Sequence, residues 1–98
     1  MTAGKTPGRR ETSLEVPGYW YVCSGDDAQP LADIPGTYRV TSSNASTISV
    51  EVYDSGSKAP PQNLDPNKYV DILVNSVLFL APVQTYSGTA QGTYAKIP

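Results

Sequence analysis

Two runs of alternating apolar and polar residues, one on each side of a turn-forming segment, constrain the fold more than any other feature of this chain. Within residues 37–42 and 46–53 the apolar side chains recur at every second position, namely Tyr38, Val40, Ile48, Val50 and Val52. A period of two is typical of a β-strand with one buried and one solvated face. Because Ser43-Asn44-Ala45 between the runs has the composition of a turn, the sequence predicts a β-hairpin.

The composition also favours strands and turns over helices. The 98 residues include seven Tyr, one Trp and one Phe, and charged residues make up only 16%. A chain of this length is expected to form one domain with one modest core. We therefore predict an all-β protein with two parts. Residues 18–98 form a single small β domain, an antiparallel sandwich or barrel, and residues 1–17 form an extended N-terminal arm.

Three further segments have the character of strands. The segment GYWYVC, residues 18–23, is rich in aromatic and β-branched side chains. Residues 69–74 and 77–81 are rich in Val, Ile and Leu, and Asn75-Ser76 lies between them, so we predict a second hairpin. The alternative is a short helix near residues 65–75, because Asp65-Pro66 is typical of a helix start. Residues 24–36 are predicted to be a loop, and residues 54–67 a long polar connection.

Charge is distributed unevenly along the chain. Residues 1–10 carry three basic side chains and no acid, whereas residues 11–98 carry four basic and nine acidic side chains, a net charge of −5. An acidic body is unlike the basic face of nucleic-acid-binding domains. The N-terminal arm lacks the apolar residues to repay its ordering entropy within its own domain. We expect it to bind a neighbouring subunit through Lys5, Arg9, Arg10, Leu14 and Val16.

The residue types that most enzyme and metal sites require are scarce. The chain has no histidine and a single cysteine, Cys23, so neither a zinc site nor an internal disulfide is expected. Without a histidine as base, Cys23 is predicted to be a buried structural thiol. We therefore predict no catalytic residue, cofactor or metal site, and no enzymatic activity. No signal peptide or membrane-spanning run is evident, so neither signal-directed secretion nor membrane insertion is expected.

Three consecutive aromatic residues, Tyr19, Trp20 and Tyr21, stand in the first predicted strand. Successive side chains of a strand point to opposite faces, so the three cannot share one face. We predict that they divide between the core and an aromatic interface with a partner, since Tyr and Trp are enriched at interfaces. The alternative is a stacking platform for carbohydrate or single-stranded nucleic acid.

The stretch of residues 69–94 resembles a hairpin idiom of structural and fibre proteins of tailed bacteriophages. The residues that carry the resemblance are Tyr69–Val74, Asn75, Val77–Leu80, Pro82 and Tyr86-Ser87. The idiom has an Asn-Gly turn and a glycine after the proline. Here Ser76 replaces the first glycine, and the second is missing.

The resemblance, together with the layout of arm and β domain, implies a non-enzymatic virion structural protein. The expected form is a capsid decoration or cement protein that binds the major capsid protein or other virion subunits, assembles in the host cytoplasm and forms an oligomer, with a trimer favoured. The close alternative is a tail-fibre or head-tail component. The alternative from another class is a small β-barrel module that binds carbohydrate or single-stranded nucleic acid.

Overall fold

The computed structural model describes residues 17–83 and 87–98, and this part of the chain forms two four-stranded antiparallel sheets. The strands are β1 (Gly18–Cys23), β2 (Gln29–Ala32), β3 (Gly36–Ser42), β4 (Val50–Asp54), β5 (Gln62–Leu64), β6 (Tyr69–Val74), β7 (Leu78–Pro82) and β8 (Thr89–Lys96). The first sheet has the order β1-β8-β3-β6 and the second the order β2-β7-β4-β5. The prediction of an all-β fold is confirmed. The helix near residues 65–75 is wrong, because that segment contains β6 and the described residues include no helix.

The core lies between the two sheets and is built by alternate residues of their strands. In both runs of the opening pattern, the side chains predicted to face inward are buried. Among the described residues, the side chains of the buried cluster are Trp20, Val22, Tyr38, Val40, Ile48, Val50, Val52, Leu64, Ile72, Val74, Leu78, Leu80 and Ala90. Burying one large aliphatic side chain contributes about 1.5–3 kcal/mol, so this shared interior is the main force that holds the sheets together.

The predicted hairpin of residues 37–53 is wrong in its pairing, although both of its strands exist. β3 belongs to the first sheet and β4 to the second. The linking segment does not place β4 beside β3, because its hydroxyl groups attach it to β8. The Ser46 hydroxyl donates to the backbone carbonyl of Gln91 at 3.0 Å and accepts from the backbone amide of Gln91 at 2.9 Å. The Thr47 amide donates to the Thr89 carbonyl at 2.7 Å, and the chain then crosses to the opposite sheet.

The predicted hairpin of residues 69–81 is wrong for a similar reason. β6 lies in the first sheet and β7 in the second, so residues 75–77 form an arch between sheets. The end of β4 holds this arch in place. The Asp54 carboxylate accepts from the Ser76 amide at 2.9 Å, and the Ser55 amide donates to the Val77 carbonyl at 2.9 Å. Val74 and Leu78 on the two sides of the arch are both buried in the same core.

Short strands also occur in the two segments predicted to be irregular. Residues 24–36 contain β2, which pairs with β7, and residues 54–67 contain β5, which pairs with β4. β5 exposes two of its three residues and buries only Leu64, so it carries little of a strand's apolar pattern. Among the strands described, β4 and β5 are the only pair that is both consecutive in sequence and adjacent in a sheet.

Gly92 occupies a position in β8 that has no room for a side chain. It lies directly opposite Trp20 of β1 and beside the end of β3. A Cβ atom at this position would overlap the carbonyl oxygen of Thr41 and would stand 2.9 Å from the indole of Trp20. The glycine therefore allows three strands to meet at this point of the first sheet.

We expect Gly92→Ala to lower the free energy of unfolding by at least about 2 kcal/mol, because the methyl group would push β3 away from β8. Urea denaturation followed by tryptophan fluorescence measures the change. Thr93→Ala is the control, since Thr93 lies next in the same strand and is only half-buried. A Gly92→Ala protein as stable as the wild type would contradict the close approach of the three strands.

Side chains of the second sheet cover backbone groups at the two open edges of the first. At β1, the Gln29 amide nitrogen donates to the carbonyl of Tyr21 at 3.1 Å. At β6, the Gln62 amide nitrogen donates to the carbonyl of Asp71 at 3.3 Å. Both glutamines are the first residues of edge strands, β2 and β5. An uncovered edge is a template for pairing with another chain, so these two side chains oppose edge-to-edge association.

We expect the double variant Gln29→Ala/Gln62→Ala to self-associate at lower concentration than the wild type, because it leaves two edge carbonyls open. Each lost hydrogen bond should also cost about 0.5–1.5 kcal/mol of stability. Sedimentation velocity over a concentration series measures the association. Gln91→Ala is the control, since the Gln91 side chain has no hydrogen-bond partner among the described residues. Equal association of the double variant and the wild type would show that the glutamines do not protect the edges.

Candidate functional site

The solvent-facing side of the first sheet, here called the outer face, carries most of the large apolar side chains that the described residues leave exposed. Strand alternation in β1 directs Trp20 into the core, where it is 3% exposed. Tyr19 and Tyr21 point outward and are 80% and 56% exposed. The prediction that these three aromatic residues divide between the core and the surface is confirmed. Whether the exposed pair contacts a partner stays a prediction.

The register of the first sheet places two of the exposed tyrosines in one row. Tyr19 of β1 pairs with Thr93 of β8, Thr93 with Thr41 of β3, and Thr41 with Tyr69 of β6. Tyr69 is 56% exposed, and Leu73 on the same strand is 61% exposed. The outer face therefore has apolar residues along both edges and threonines between them.

The charges on strands β3 and β6 of the outer face neutralise each other. The Arg39 guanidinium forms two hydrogen bonds with the Asp71 carboxylate, at 2.8 and 3.0 Å, and lies 4.1 Å over the ring of Tyr69. The hydrogen bonds from Arg39 hold the pKa of Asp71 below its ordinary value, and those same bonds raise the pKa of Arg39. The pair is well exposed, so it adds little to stability. Its effect is to leave this part of the surface without a free charge.

An open groove of about 440 Å³ lies on the β1 side of the outer face. Tyr19 and Tyr21 line it from β1. Trp20 and Gly92 also line it, and because the side-chain positions of both face the core, they contribute backbone to its floor. The polar groups beside the groove come from Ser43, Gln91 and Thr93. None of these lining residues is charged.

Cys23 lies beyond Tyr21 on the same strand and the same face. It is partly exposed, so the prediction of a buried thiol is wrong. Cys23 ends β1 at an outward position, where the core cannot cover it. Its sulfur shares a hydrogen bond with the Tyr21 hydroxyl at 3.6 Å, and this interaction with Cys23, in which the Tyr21 proton is held between the two groups, raises the pKa of Tyr21. The contact stabilises one side of the groove.

Two aspartates of the β domain, Asp54 and Asp65, accept hydrogen bonds that hold neighbouring segments in place. The Asp65 carboxylate accepts from the Ser49 hydroxyl at 2.6 Å and from the Asn63 amide group at 2.7 Å, and these bonds hold the pKa of Asp65 below its ordinary value. Burial alone raises the pKa of Asp54, but backbone amides, led by that of Ser76, outweigh it and lower the pKa. No group of three or more Cys, Asp or Glu side chains converges on a possible metal position within residues 17–83 and 87–98.

The lowered pKa of Asp54 predicts a contribution to acid stability. The ionised carboxylate stabilises the folded chain at pH values above its unfolded pKa, about 4, and this contribution is lost as the pH falls through the lower folded value. We expect Asp54→Asn to be less stable than the wild type at pH 7, with a difference that shrinks below pH 4. Urea denaturation at a series of pH values measures it.

Asp27→Asn is the control, since Asp27 lies in an exposed loop. A constant difference between Asp54→Asn and the wild type from pH 7 to the acid limit of folding would show that the carboxylate charge does not hold the arch.

The predicted residues of the N-terminal arm lie outside the described part of the chain. They are Lys5, Arg9, Arg10, Leu14 and Val16. Their role in binding a partner stays a prediction, as does the boundary of the arm at residue 17. Within the residues that the structure describes, no helix is long and apolar enough to cross a membrane.

Comparisons with known proteins identify no relative. No protein-family model matches the chain, and neither a curated protein nor a solved structure matches it. The function must therefore be argued from the fold and from the outer face.

The sequence singled out the groove residues of β1 but not those of β8. Tyr19 and Tyr21 are conspicuous in the sequence, whereas Gln91 and Thr93 are ordinary polar residues about 70 positions away. Only the pairing of β1 with β8 brings the two pairs together. The sequence of the tail, with its alternating fragment of residues 92–97, predicts a strand there but not its neighbour.

Proposed function

We propose that this chain is a non-enzymatic structural protein of a tailed-bacteriophage virion, a decoration or cement subunit that attaches to the capsid surface through its N-terminal arm. The observation that carries the proposal is the composition of the outer face. Three tyrosines and Leu73 are more than half exposed there, and the Arg39–Asp71 charges neutralise each other. Exposed aromatic surface with few free charges is typical of protein contacts.

The open edges of the first sheet support contact through a face rather than through strand addition. Gln29 and Gln62 cover carbonyls at the two edges. At the end of β1 the Cys23 amide also donates to the Asp26 carboxylate at 2.7 Å. A subunit protected in this way can be present in many copies on one particle without polymerising through its sheets.

Charge supports a separate role for the N-terminal arm. Residues 1–10 carry three basic and no acidic side chains, while residues 11–98 carry a net −5. A basic segment of this kind suits an acidic surface on another subunit, and such an attraction weakens as salt is added. The partner in this proposal is the major capsid protein or another virion subunit, and the chain itself is an oligomer, with a trimer favoured.

The sequence pattern of residues 69–94 resembles that of phage fibre and structural proteins, and this resemblance supports a role in the virion. Its two strands are present as β6 and β7, but they form an arch between sheets and not a hairpin. A tail-fibre or head-tail component is the close alternative, since it would use the same exposed surface.

The alternative from another class, a module for carbohydrate or single-stranded nucleic acid, is supported by the groove beside Tyr19 and Tyr21. Proteins that bind single strands follow the phosphates with positive side chains. The residues that line this groove carry no charge, so the carbohydrate form of the alternative is the one that the geometry favours.

The test is whether the chain belongs to a particle and binds it through the arm. We expect peptides of this chain in virions purified by density gradient, at a constant ratio to the major shell protein. Recombinant full-length chain should rebind shells from which it has been stripped. A chain without residues 1–17 should still fold, because all eight described strands lie outside the deleted part, but it should not rebind because it lacks the arm.

A charge-matched pair of variants controls the rebinding experiment. Arg9→Glu/Arg10→Glu should weaken rebinding by about tenfold or more, the effect of losing about 1.4 kcal/mol, whereas Lys58→Glu/Lys68→Glu alters two exposed lysines of the body and should leave it unchanged. Circular dichroism confirms that each variant keeps its β structure. Absence of the chain from purified particles, or rebinding of the truncated chain with full affinity, would contradict the proposal.

A further inference from the structure

The spacing of Tyr19 and Tyr21 defines what the groove can hold. The two residues are two positions apart in β1 and point to the same side, so their attachment points are about 7 Å apart along the strand. Two carbon surfaces in contact are about 3.5–4.0 Å apart. A spacing of about 7 Å between the attachment points leaves room for one six-membered ring between the two side chains.

The groove also offers hydrogen-bonding groups at its floor and rim. The side chains of Gln91 and Thr93 border it from β8, and neither has a hydrogen-bond partner among the described residues. The amide of Gln91 and the hydroxyl of Thr93 can each donate and accept. Ser43 adds a further hydroxyl at the end of the groove, where it accepts from the Ala45 amide at 3.2 Å.

Charge around the groove excludes an anionic occupant. Its lining residues carry no charge, and the negative charge of Asp26 contributes to raising the pKa of Tyr21, which lines the groove. A nucleic acid or acidic glycan would bring negative charge to a place with no cation to meet it. The Arg39 guanidinium on the same face is already bound to Asp71.

We propose that the groove between Tyr19 and Tyr21 is a binding site for a neutral carbohydrate chain. One sugar ring lies between the two tyrosines with its C–H face against them, and its hydroxyls bond to Gln91 and Thr93. The volume of about 440 Å³ falls in the usual range for small-ligand sites and suits one or two sugar rings. This site does not depend on attachment through the N-terminal arm, but it uses two of the exposed tyrosines that also support the virion proposal, so a sugar and a protein partner would compete for the β1 side of the outer face.

The test is a titration of the ¹⁵N-labelled full-length chain with cellohexaose, maltohexaose and chitohexaose at millimolar concentration, followed by NMR. We expect at least one of the three to shift the amide signals of residues 19–21, 43 and 91–93. The oligonucleotide dT10 is the charged comparison and should leave these signals in place. No shift with any of the three sugars, or stronger binding of dT10, would overturn the proposal.

Tyr19→Ala and Tyr21→Ala should each weaken sugar binding by about tenfold, since each removes one stacking surface. The matched control is Tyr69→Ala, because Tyr69 is as exposed as Tyr21 and lies on the same face at the opposite edge. Thermal denaturation confirms folding of each variant. An equal loss of affinity in Tyr69→Ala would overturn the site. Sugar binding that survives in a chain that fails to rebind shells would separate this proposal from the virion proposal.

Discussion

The packing of Trp20 across Gly92 is the contact on which the rest of the first sheet depends. The indole of Trp20 lies over the position where Gly92 has no side chain, and its N–H donates to the carbonyls of Thr41 and Thr93 at 3.2 Å each. One side chain of β1 thereby contacts β8 and β3 together. With Trp20 held in the core, strand alternation directs Tyr19 and Tyr21 to solvent, so the same contact that orders the sheet also creates the groove.

The crossings between sheets are held by a few polar side chains. Ser46 and Thr47 attach the β3–β4 link to β8, and Asp54 holds the arch between β6 and β7. Because both links are fixed by groups distant in sequence, neighbouring strands in the chain enter opposite sheets. This arrangement lets β3 and β4, and likewise β6 and β7, bury their apolar side chains in one core.

The same construction divides the surface into regions with different properties. The edges of the first sheet are covered by glutamines from the second, and its outer face exposes tyrosines and a neutralised ion pair. Strand addition is therefore opposed, while stacking and hydrogen bonding on the face are available. The proposed attachment through the N-terminal arm and the proposed sugar site on the outer face use separate parts of the chain, so the two proposals are compatible.

The sequence alone determined the all-β class, the β1, β3, β4, β6 and β7 strands, and which residues of the alternating runs face inward. Those properties follow from side-chain periodicity and β-propensity, which act over a few residues. It did not determine strand partners. Ser43-Asn44-Ala45 and Asn75-Ser76 have the composition of hairpin turns, yet both links cross the sandwich, because bonds to Gln91, Thr89 and Asp54 outweigh the local preference for a hairpin. The groove was decided only by tertiary structure, since pairing of β1 with β8 brings Tyr19 and Tyr21 beside residues some 70 positions away.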